Sequence, residues 1–195
     1  DIIFFHDLGF EFSECNFAVG INWTKEENEL LLKREMEKLI DYYIENHEVK
    51  PAPIINMDVL NCELKNKVKH KACGIGDNIF TYDCDGKLYP CNYITPMTFK
   101  NEDLKKLLAI DYTKITDIMD DDCFDKCYLF PVCPTCYAGD YDNAKRLKKK
   151  NYTLCKLTQV RAYYSAKLRA IKIKESWEHD KEITTEKKIQ LSLEI

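Results

Sequence analysis

The sequence predicts an α+β protein, and three observations support this prediction. Short segments rich in aromatic and β-branched residues, such as "DIIFF" and "NIFTYDCDGKLYPCNYI", are typical of strands. Two longer segments, "WTKEENELLLKREMEKLIDYYIENH" and "LCKLTQVRAYYSAKLRAIKIKESWEHD", place apolar residues at helical spacing. Ten cysteines among 195 residues, nine of them after position 60, indicate that disulfides or bound metal organise the second part of the chain.

The first 60 residues are predicted to form a strand, a helix and an extended exit. Thr24 and Glu27 have the Thr-x-x-Glu spacing of a capping box, and apolar residues at helical spacing follow them. Pro51 and Pro53 end this helix. A single β/α unit cannot bury both of its faces, and the chain starts without Met or a signal peptide. We therefore expect this segment to come from the middle of a longer protein.

The elements after position 60 follow from turn and helix signals. Asp85-Gly86 lies between two strand-like runs and predicts a β-hairpin. A short helix is predicted in "NEDLKKLLAI", residues 101–110, whereas residues 120–140 have the prolines and clustered cysteines of a loop. From about Thr153 a long helix is predicted, and the tail "KEITTEKKIQLSLEI" is compatible with a helix or a frayed end.

Composition excludes several classes of function. The 45% hydrophobic and 32% charged residues are typical of a soluble globular protein. A net charge of −4 gives no basic surface for nucleic acid, and no run approaches the roughly 18 apolar residues of a membrane span. We expect a cytoplasmic protein that binds neither nucleic acid nor a membrane.

The spacing of the cysteines distinguishes among three kinds of site. Disulfides suit this chain poorly, because it is large and shows no export signal. Zinc ribbons supply two Cys-x-x-Cys pairs, and only "CPTC" has that form here. The wider intervals favour thiolates around a larger iron–sulfur cube. The candidate ligands are Cys73, Cys91, Cys123, Cys127, Cys133, Cys136 and Cys155, with Cys62 and Cys84 as further candidates.

The segment "CGIGDNIFTYDCDGKLYPC", followed by "CFDKCYLFPVCPTC" and Cys155, resembles the SPASM domain, the auxiliary-cluster region of many radical SAM enzymes. Gly86 to Cys91 matches the Gly-x4-Cys motif of that family. The four-cysteine run departs from the family pattern: its intervals are three, five and two residues instead of two, five and three. "CYLFPVCPTCY" is also similar to a branch that modifies ribosomally made peptides with Cys-x-x-x repeats.

The resemblance implies two four-iron clusters. The first would use Cys62, Cys73, Cys91 and Cys136, with Cys84 or an open coordination site as the alternatives to Cys62. The second would use Cys123, Cys127, Cys133 and Cys155. The reversed intervals leave the assignment within 123–136 open.

The resemblance also implies a domain organisation and an activity. Residues 1–60 look like the last β/α unit of a radical SAM partial barrel, 61–160 like a SPASM-like domain, and 161–195 like a helical extension. The three-cysteine motif that binds the S-adenosylmethionine-cleaving cluster occurs nowhere in the chain. S-adenosylmethionine and a third cluster are therefore expected in a missing N-terminal domain, and this chain should be inactive alone.

The implied partners are a precursor peptide and an electron donor such as ferredoxin or flavodoxin, and the implied chemistry is thioether or other crosslink formation. A sulfatase-maturase-type radical SAM enzyme and a zinc-stabilised interaction module remain alternatives.

The remaining chemistry-bearing residues have simpler interpretations. Cys15 is predicted to be a buried thiol outside any site. The basic run "KRLKKK", residues 145–150, is predicted to be a solvated surface, and the four histidines are predicted to be surface residues. The aromatic residues near the cysteines are predicted to shield the clusters from water; they are Tyr89, Tyr93, Tyr128, Phe130 and Tyr137.

Overall fold

The computed structural model describes residues 1–11, 14–18, 21–59 and 69–179. Its helices are α1 (Ile2–Asp7), α2 (Glu26–Glu45), α3 (Asn101–Leu108), α4 (Ile115–Ile118), α5 (Asp121–Lys126), α6 (Tyr137–Ala144) and α7 (Cys155–His179). One antiparallel sheet contains β1 (Thr81–Tyr82) and β2 (Leu88–Tyr89), and short 3₁₀ helices span Phe130–Val132 and Tyr152–Leu154. The helices and the hairpin form two compact units; α1, α2 and α7 belong to the first, and the hairpin with α3–α6 belongs to the second.

The strand predicted at the start of the chain is wrong, because residues 2–7 form α1. Ile2 and Ile3 pack against the core of the first unit and His6 is buried, whereas Phe4 and Phe5 are exposed. This arrangement follows the 3.6-residue period of a helix, although the residue types favour a strand. The segment "FEFSECNFAVGI" also has the residue types of a strand, but its described residues form none.

The capping box predicted for α2 does not form. The helix begins at Glu26 with Lys25 at the N-cap position, and no side chain caps it. Thr24 instead bonds Asn22, with its backbone N–H at 2.9 Å and its Oγ1 at 2.6 Å from the Asn22 Oδ1. Three glutamates in the first turn stabilise this end of the helix, because their negative charges interact favourably with the positive end of the helix dipole.

The core of the first unit lies between α2 and α7. Met36 and Ile40 of α2 are almost fully buried, as are Val160 and Leu168 of α7. The long C-terminal helix predicted from the sequence is therefore confirmed, although residues 180–195 lie outside the described residues.

A buried tyrosine connects three segments of this unit. Tyr43 has no exposed surface, and its hydroxyl accepts a hydrogen bond from the Ala52 N–H at 3.0 Å. The same hydroxyl lies 2.9 Å from Nε2 of His6, whose Nδ1 lies 3.0 Å from the Phe10 carbonyl oxygen. Since that carbonyl can only accept, Nδ1 carries the proton and Nε2 accepts from the tyrosine. His6 is thus a buried structural residue, contrary to its prediction as a surface histidine.

Replacing Tyr43 with phenylalanine is expected to lower the free energy of unfolding by about 2 kcal/mol, because it leaves two buried polar groups without partners. Urea denaturation measures this change. Tyr42→Phe is the matched control on the same helix, since the Tyr42 hydroxyl makes only a 3.5 Å exposed contact with Asp7. Equal losses in the two variants would contradict the role given to the buried hydroxyl.

The hairpin predicted at Asp85-Gly86 is confirmed. Thr81 pairs with Tyr89 and Tyr82 with Leu88, in antiparallel register. Gly86 adopts a φ of +76°, which is the left-handed conformation that the turn requires.

The loop predicted for 120–140 is only partly correct. The chain there forms α5, a 3₁₀ turn and the start of α6, because local caps stabilise short helices. Asp120 caps α5 by accepting a hydrogen bond from the Asp122 N–H at 3.0 Å. The helix predicted in 101–110 is confirmed as α3, and Leu107 of α3 is buried in the second core with Ile94 and Phe99.

Candidate thiol site

Three predicted ligands from separate segments come together in the second unit; we call Cys73, Cys91 and Cys136 the Cys73 group. Cys73 lies in the loop before the hairpin, Cys91 follows β2, and Cys136 is the N-cap residue of α6. Cys73 and Cys91 pack against the second hydrophobic core.

Two thiols of the Cys73 group, Cys91 and Cys136, have raised pKa values. Cys136 is exposed as a residue, yet desolvation by the surrounding protein raises the pKa of its thiol, and the Gly139 N–H opposes that shift. The charges of Cys91 and Cys73 raise the same pKa further. Burial also raises the pKa of Cys91, and Cys73 adds to that effect. The pKa of Cys136 therefore responds to the charges of both other thiols, and the pKa of Cys91 responds to the charge of Cys73.

Backbone N–H groups act on two of these sulfurs. The Gly139 N–H donates to the Cys136 Sγ at 3.4 Å, since the first turn of α6 leaves its N–H groups without helical partners. The N–H groups of Ile94 and Tyr93 lower the pKa of Cys91 by hydrogen bonding to it. Donors of this kind stabilise negative charge on a ligand sulfur.

The loop that carries Cys73 is held at both ends. The Lys71 ammonium donates to the carbonyl oxygens of Ile75, at 2.8 Å, and Tyr112, at 3.0 Å, and forms an ion pair with Asp77. The Ala72 N–H donates to the Tyr137 hydroxyl at 3.1 Å, which links the residues next to Cys73 and Cys136. Burial raises the pKa of Tyr137 to about 12, and the charge of Cys73 contributes to that shift.

The second set of described thiols is the Cys123 group, namely Cys123, Cys127 and Cys133. Cys123 lies on α5 and Cys127 is its C-cap residue, with the Cys127 N–H donating to the Cys123 carbonyl oxygen at 3.1 Å. The 3₁₀ turn then brings the chain to Cys133, which lines the same cavity as Cys123.

A buried polar network lies beside Cys133. The Thr135 hydroxyl donates to the Cys133 Sγ at 3.8 Å, and the Lys150 Nζ donates to the Thr135 Oγ1 at 3.1 Å. The Asp140 carboxylate lies 3.6 Å from the same ammonium, and its Oδ1 accepts from the Asn151 N–H at 2.8 Å. The sequence alone does not predict this network, because Lys150 lies in a run of basic residues, and such runs are typical of a solvated surface.

The prediction that the basic run is solvated surface is confirmed for residues 145–148, which are exposed, but it is wrong for Lys150 at the end of the run. The Lys150 side chain is only 8% exposed, and Lys145 pairs with Asp142 at 2.8 Å. Lys149 lies within 4.0 Å of the buried Asp120 carboxylate. Part of this positive charge therefore neutralises internal carboxylates.

The cavity beside the Cys123 group is small. Its volume is about 30 Å³, and its polar wall includes Asp120, Asp140 and Lys150. This is room for water, whereas sites for organic ligands have volumes of several hundred Å³.

The other cysteines have different positions. Cys84 is exposed at the hairpin turn, and Cys15 is partly buried against the first core rather than fully enclosed. Cys155 is the first residue of α7, which belongs to the first unit. Its assignment as a ligand of the second cluster therefore stays a prediction. Cys62 lies outside the described residues.

The aromatic residues predicted to shield the clusters differ in exposure. Tyr89 is 1% exposed and belongs inside the second unit, whereas Tyr128 is 69% exposed and shields nothing. Tyr93 and Tyr137 are partly buried against the same core as Cys73 and Cys91.

No disulfide joins the nine cysteines that the structure describes. Within the described ranges, no three His, Cys, Asp or Glu side chains are arranged to hold one metal ion. None of the described helices combines the length and the apolar character needed to cross a membrane.

Comparison of this chain with protein-family models, curated proteins and solved structures finds no match.

Proposed function

We propose that this chain is the cluster-bearing portion of a radical SAM enzyme that modifies a ribosomally made peptide. In this proposal it binds two four-iron clusters, which orient the peptide or carry an electron during thioether or other crosslink formation. A precursor peptide and a ferredoxin or flavodoxin are the proposed partners, and the proposed location is the cytoplasm.

The observation that carries the proposal is the convergence of the Cys73 group. Its three thiols come from three segments of the chain, and N–H donors act on two of the sulfurs. Soft thiolates with backbone N–H donors are the donor set that iron–sulfur clusters use. A plain hairpin with a buried cysteine needs neither the neighbouring thiols nor the donors.

The residues of this chain have defined tasks in the proposed site. The Gly139 N–H, with those of Tyr93 and Ile94, stabilises negative charge on the ligand sulfurs. Lys71 holds the Cys73 loop in place, and the second core excludes water from one side of the group. A four-iron cluster, when bound, supplies one-electron transfer.

Anaerobic purification with assays of iron, sulfide and zinc tests the proposal. We expect brown protein with a broad absorption band near roughly 400 nm and about eight irons per chain. If the protein contains neither iron nor sulfide, even after reconstitution under the same anaerobic conditions, the assignment is rejected.

A zinc-stabilised interaction module is the second candidate, because "CPTC" has the form of a zinc knuckle. It predicts colourless protein with bound zinc and no sulfide. The same sample therefore separates the two candidates.

A further inference from the structure

The β-hairpin has one buried face and one exposed face. Thr81 pairs with Tyr89, and Tyr89 is buried. Because side chains alternate between the two faces of a strand, the next pair, Tyr82 and Leu88, lies on the opposite face together with Phe80. All three of these side chains are exposed. The hairpin therefore presents an apolar surface to solvent, and we call Phe80, Tyr82 and Leu88 its outer face.

The backbone of β1 also has an open edge. The Asp83 N–H donates to the Lys87 carbonyl oxygen at 3.0 Å, so these two residues form a hydrogen-bonded pair of the ladder. Hydrogen-bonded and non-hydrogen-bonded pairs alternate along an antiparallel ladder, and the N–H and C=O groups of Tyr82 therefore point away from β2. Among the described residues the sheet has two strands, and no third strand receives these groups. Tyr82 thus offers one donor and one acceptor to a further strand.

The edge of β1 lacks the features that usually block strand pairing. Soluble proteins protect exposed edges with charged residues, proline or a bulge. Residues 79–82, "IFTY", contain no charge and no proline. An edge of this kind is suited to bind an extended peptide, in which backbone hydrogen bonds supply affinity and alternate side chains supply specificity.

The charges at the end of β1 favour a basic partner. The strand leads into a turn that carries Asp83 and Asp85, whereas Lys87 is the one basic residue from 79 to 89. The Lys87 ammonium lies 5.5 Å from the centre of the Tyr89 ring, on the face opposite the outer face. Asp85 is exposed at the tip of the hairpin. An antiparallel partner runs opposite to β1, so its N-terminal residues would lie beside this negative turn.

We propose that the edge of β1 and the outer face form a docking site for an extended peptide segment of another chain. The peptide pairs antiparallel with β1 and places apolar side chains at alternate positions on the outer face. It carries lysine or arginine at its N-terminal end, next to Asp85. This inference goes beyond the proposed function, because it requires neither an iron–sulfur cluster nor a thiol.

A synthetic peptide tests whether a strand adds to this edge. It carries fluorescein and two lysines, followed by alternating valines and threonines, which favour an extended chain. Fluorescence anisotropy measures its binding to the full chain. Two further versions are N-methylated, one at the valines and the other at the threonines. The N–H groups of alternate residues point to opposite edges of a strand, so only one version keeps its donors for β1.

We expect one N-methylated version to bind like the parent peptide and the other to bind about tenfold more weakly, because several hydrogen bonds are lost. Equal binding by the two versions would exclude strand pairing and overturn the inference. Failure of the wild-type chain to bind the parent peptide would overturn it as well.

Tyr82→Lys tests the site on the protein. The Tyr82 side chain is 69% exposed, so its replacement leaves the core intact. We expect about tenfold weaker binding of the parent peptide, because the variant loses an aromatic contact and repels the lysines. Tyr163→Lys is the matched control, since Tyr163 is 63% exposed on α7 of the first unit. It is expected to bind like wild type, and equal binding by the two variants would contradict the proposed location.

Reversal of one charge tests the orientation of the peptide. Asp85→Lys is expected to weaken the lysine peptide about threefold and to strengthen a peptide with two glutamates in place of the lysines by a similar factor. Changes of the same sign for both peptides would contradict the antiparallel arrangement beside Asp85.

The remaining outcomes distinguish this inference from its alternatives. If a second copy of the chain covers the edge, light scattering shows a dimer that Tyr82→Lys dissociates, and that result overturns the inference. Iron is assayed on the same samples. Peptide binding by a chain without iron supports the inference and rejects the proposed function, whereas bound iron without peptide binding has the reverse meaning.

Discussion

If the chain binds the two proposed four-iron clusters, Cys91→Ser is expected to remove about half of the bound iron, because one cluster would lose a ligand. Cys91 lies two residues after the end of β2 and packs against the second core. The N–H groups of Tyr93 and Ile94 would then face a neutral hydroxyl instead of a thiolate. Iron and sulfide assays on the anaerobic protein measure the loss.

Cys84→Ser is the matched control for this prediction. Cys84 lies on the same hairpin but is exposed at the turn. It is expected to keep full iron content if Cys62 supplies the remaining ligand of the first cluster. Iron loss in Cys84→Ser would assign that ligand to Cys84, and full iron content in Cys91→Ser would contradict the proposed site.

Gly76→Ala is expected to destabilise the Cys73 loop by about 3 kcal/mol or more, which combines backbone strain with overpacking. Gly76 has a φ of +73°, and an added Cβ would lie 2.5 Å from the Cβ of Tyr112. Tyr112 cannot easily move away, because it is 5% exposed and its hydroxyl donates to the Leu107 carbonyl oxygen at 2.9 Å. Urea denaturation of the full chain measures the change.

Gly86→Ala separates the two causes of this destabilisation. Gly86 has nearly the same backbone conformation, with a φ of +76°, but nothing lies within 4 Å of an added Cβ. It should cost only about 1 kcal/mol, which is the strain of the left-handed conformation alone. Equal losses in the two variants would show that contact with Tyr112 contributes nothing. Hydrogen exchange of the amides around Cys73 should report the larger effect of Gly76→Ala.

Local signals in the sequence were sufficient for several elements. Asp85-Gly86 predicted the hairpin because few other residue pairs adopt its turn without strain. The apolar spacing predicted α3 and α7 because one helical face must be buried.

Other predictions failed where a local signal competed with packing. The aromatic and β-branched start of the chain favours a strand, yet it forms α1, in which His6 is buried and Ile2 and Ile3 are partly buried against the first core. Thr24 has the spacing of a cap but bonds Asn22 instead, so the helix starts later. Residue types and spacing do not show with which neighbouring polar group a side chain will form a hydrogen bond.

By itself, the sequence determined the chemistry that this protein can offer: many thiols, a tight turn between two of them, and amphipathic helices. These features depend on residue type and on spacing over a few positions. Only the tertiary structure decided that Cys73, Cys91 and Cys136 are neighbours, and that Lys150 is buried against Asp140 and Thr135. Contacts between residues far apart in the chain depend on how helices and loops pack, and that packing is a property of the whole fold.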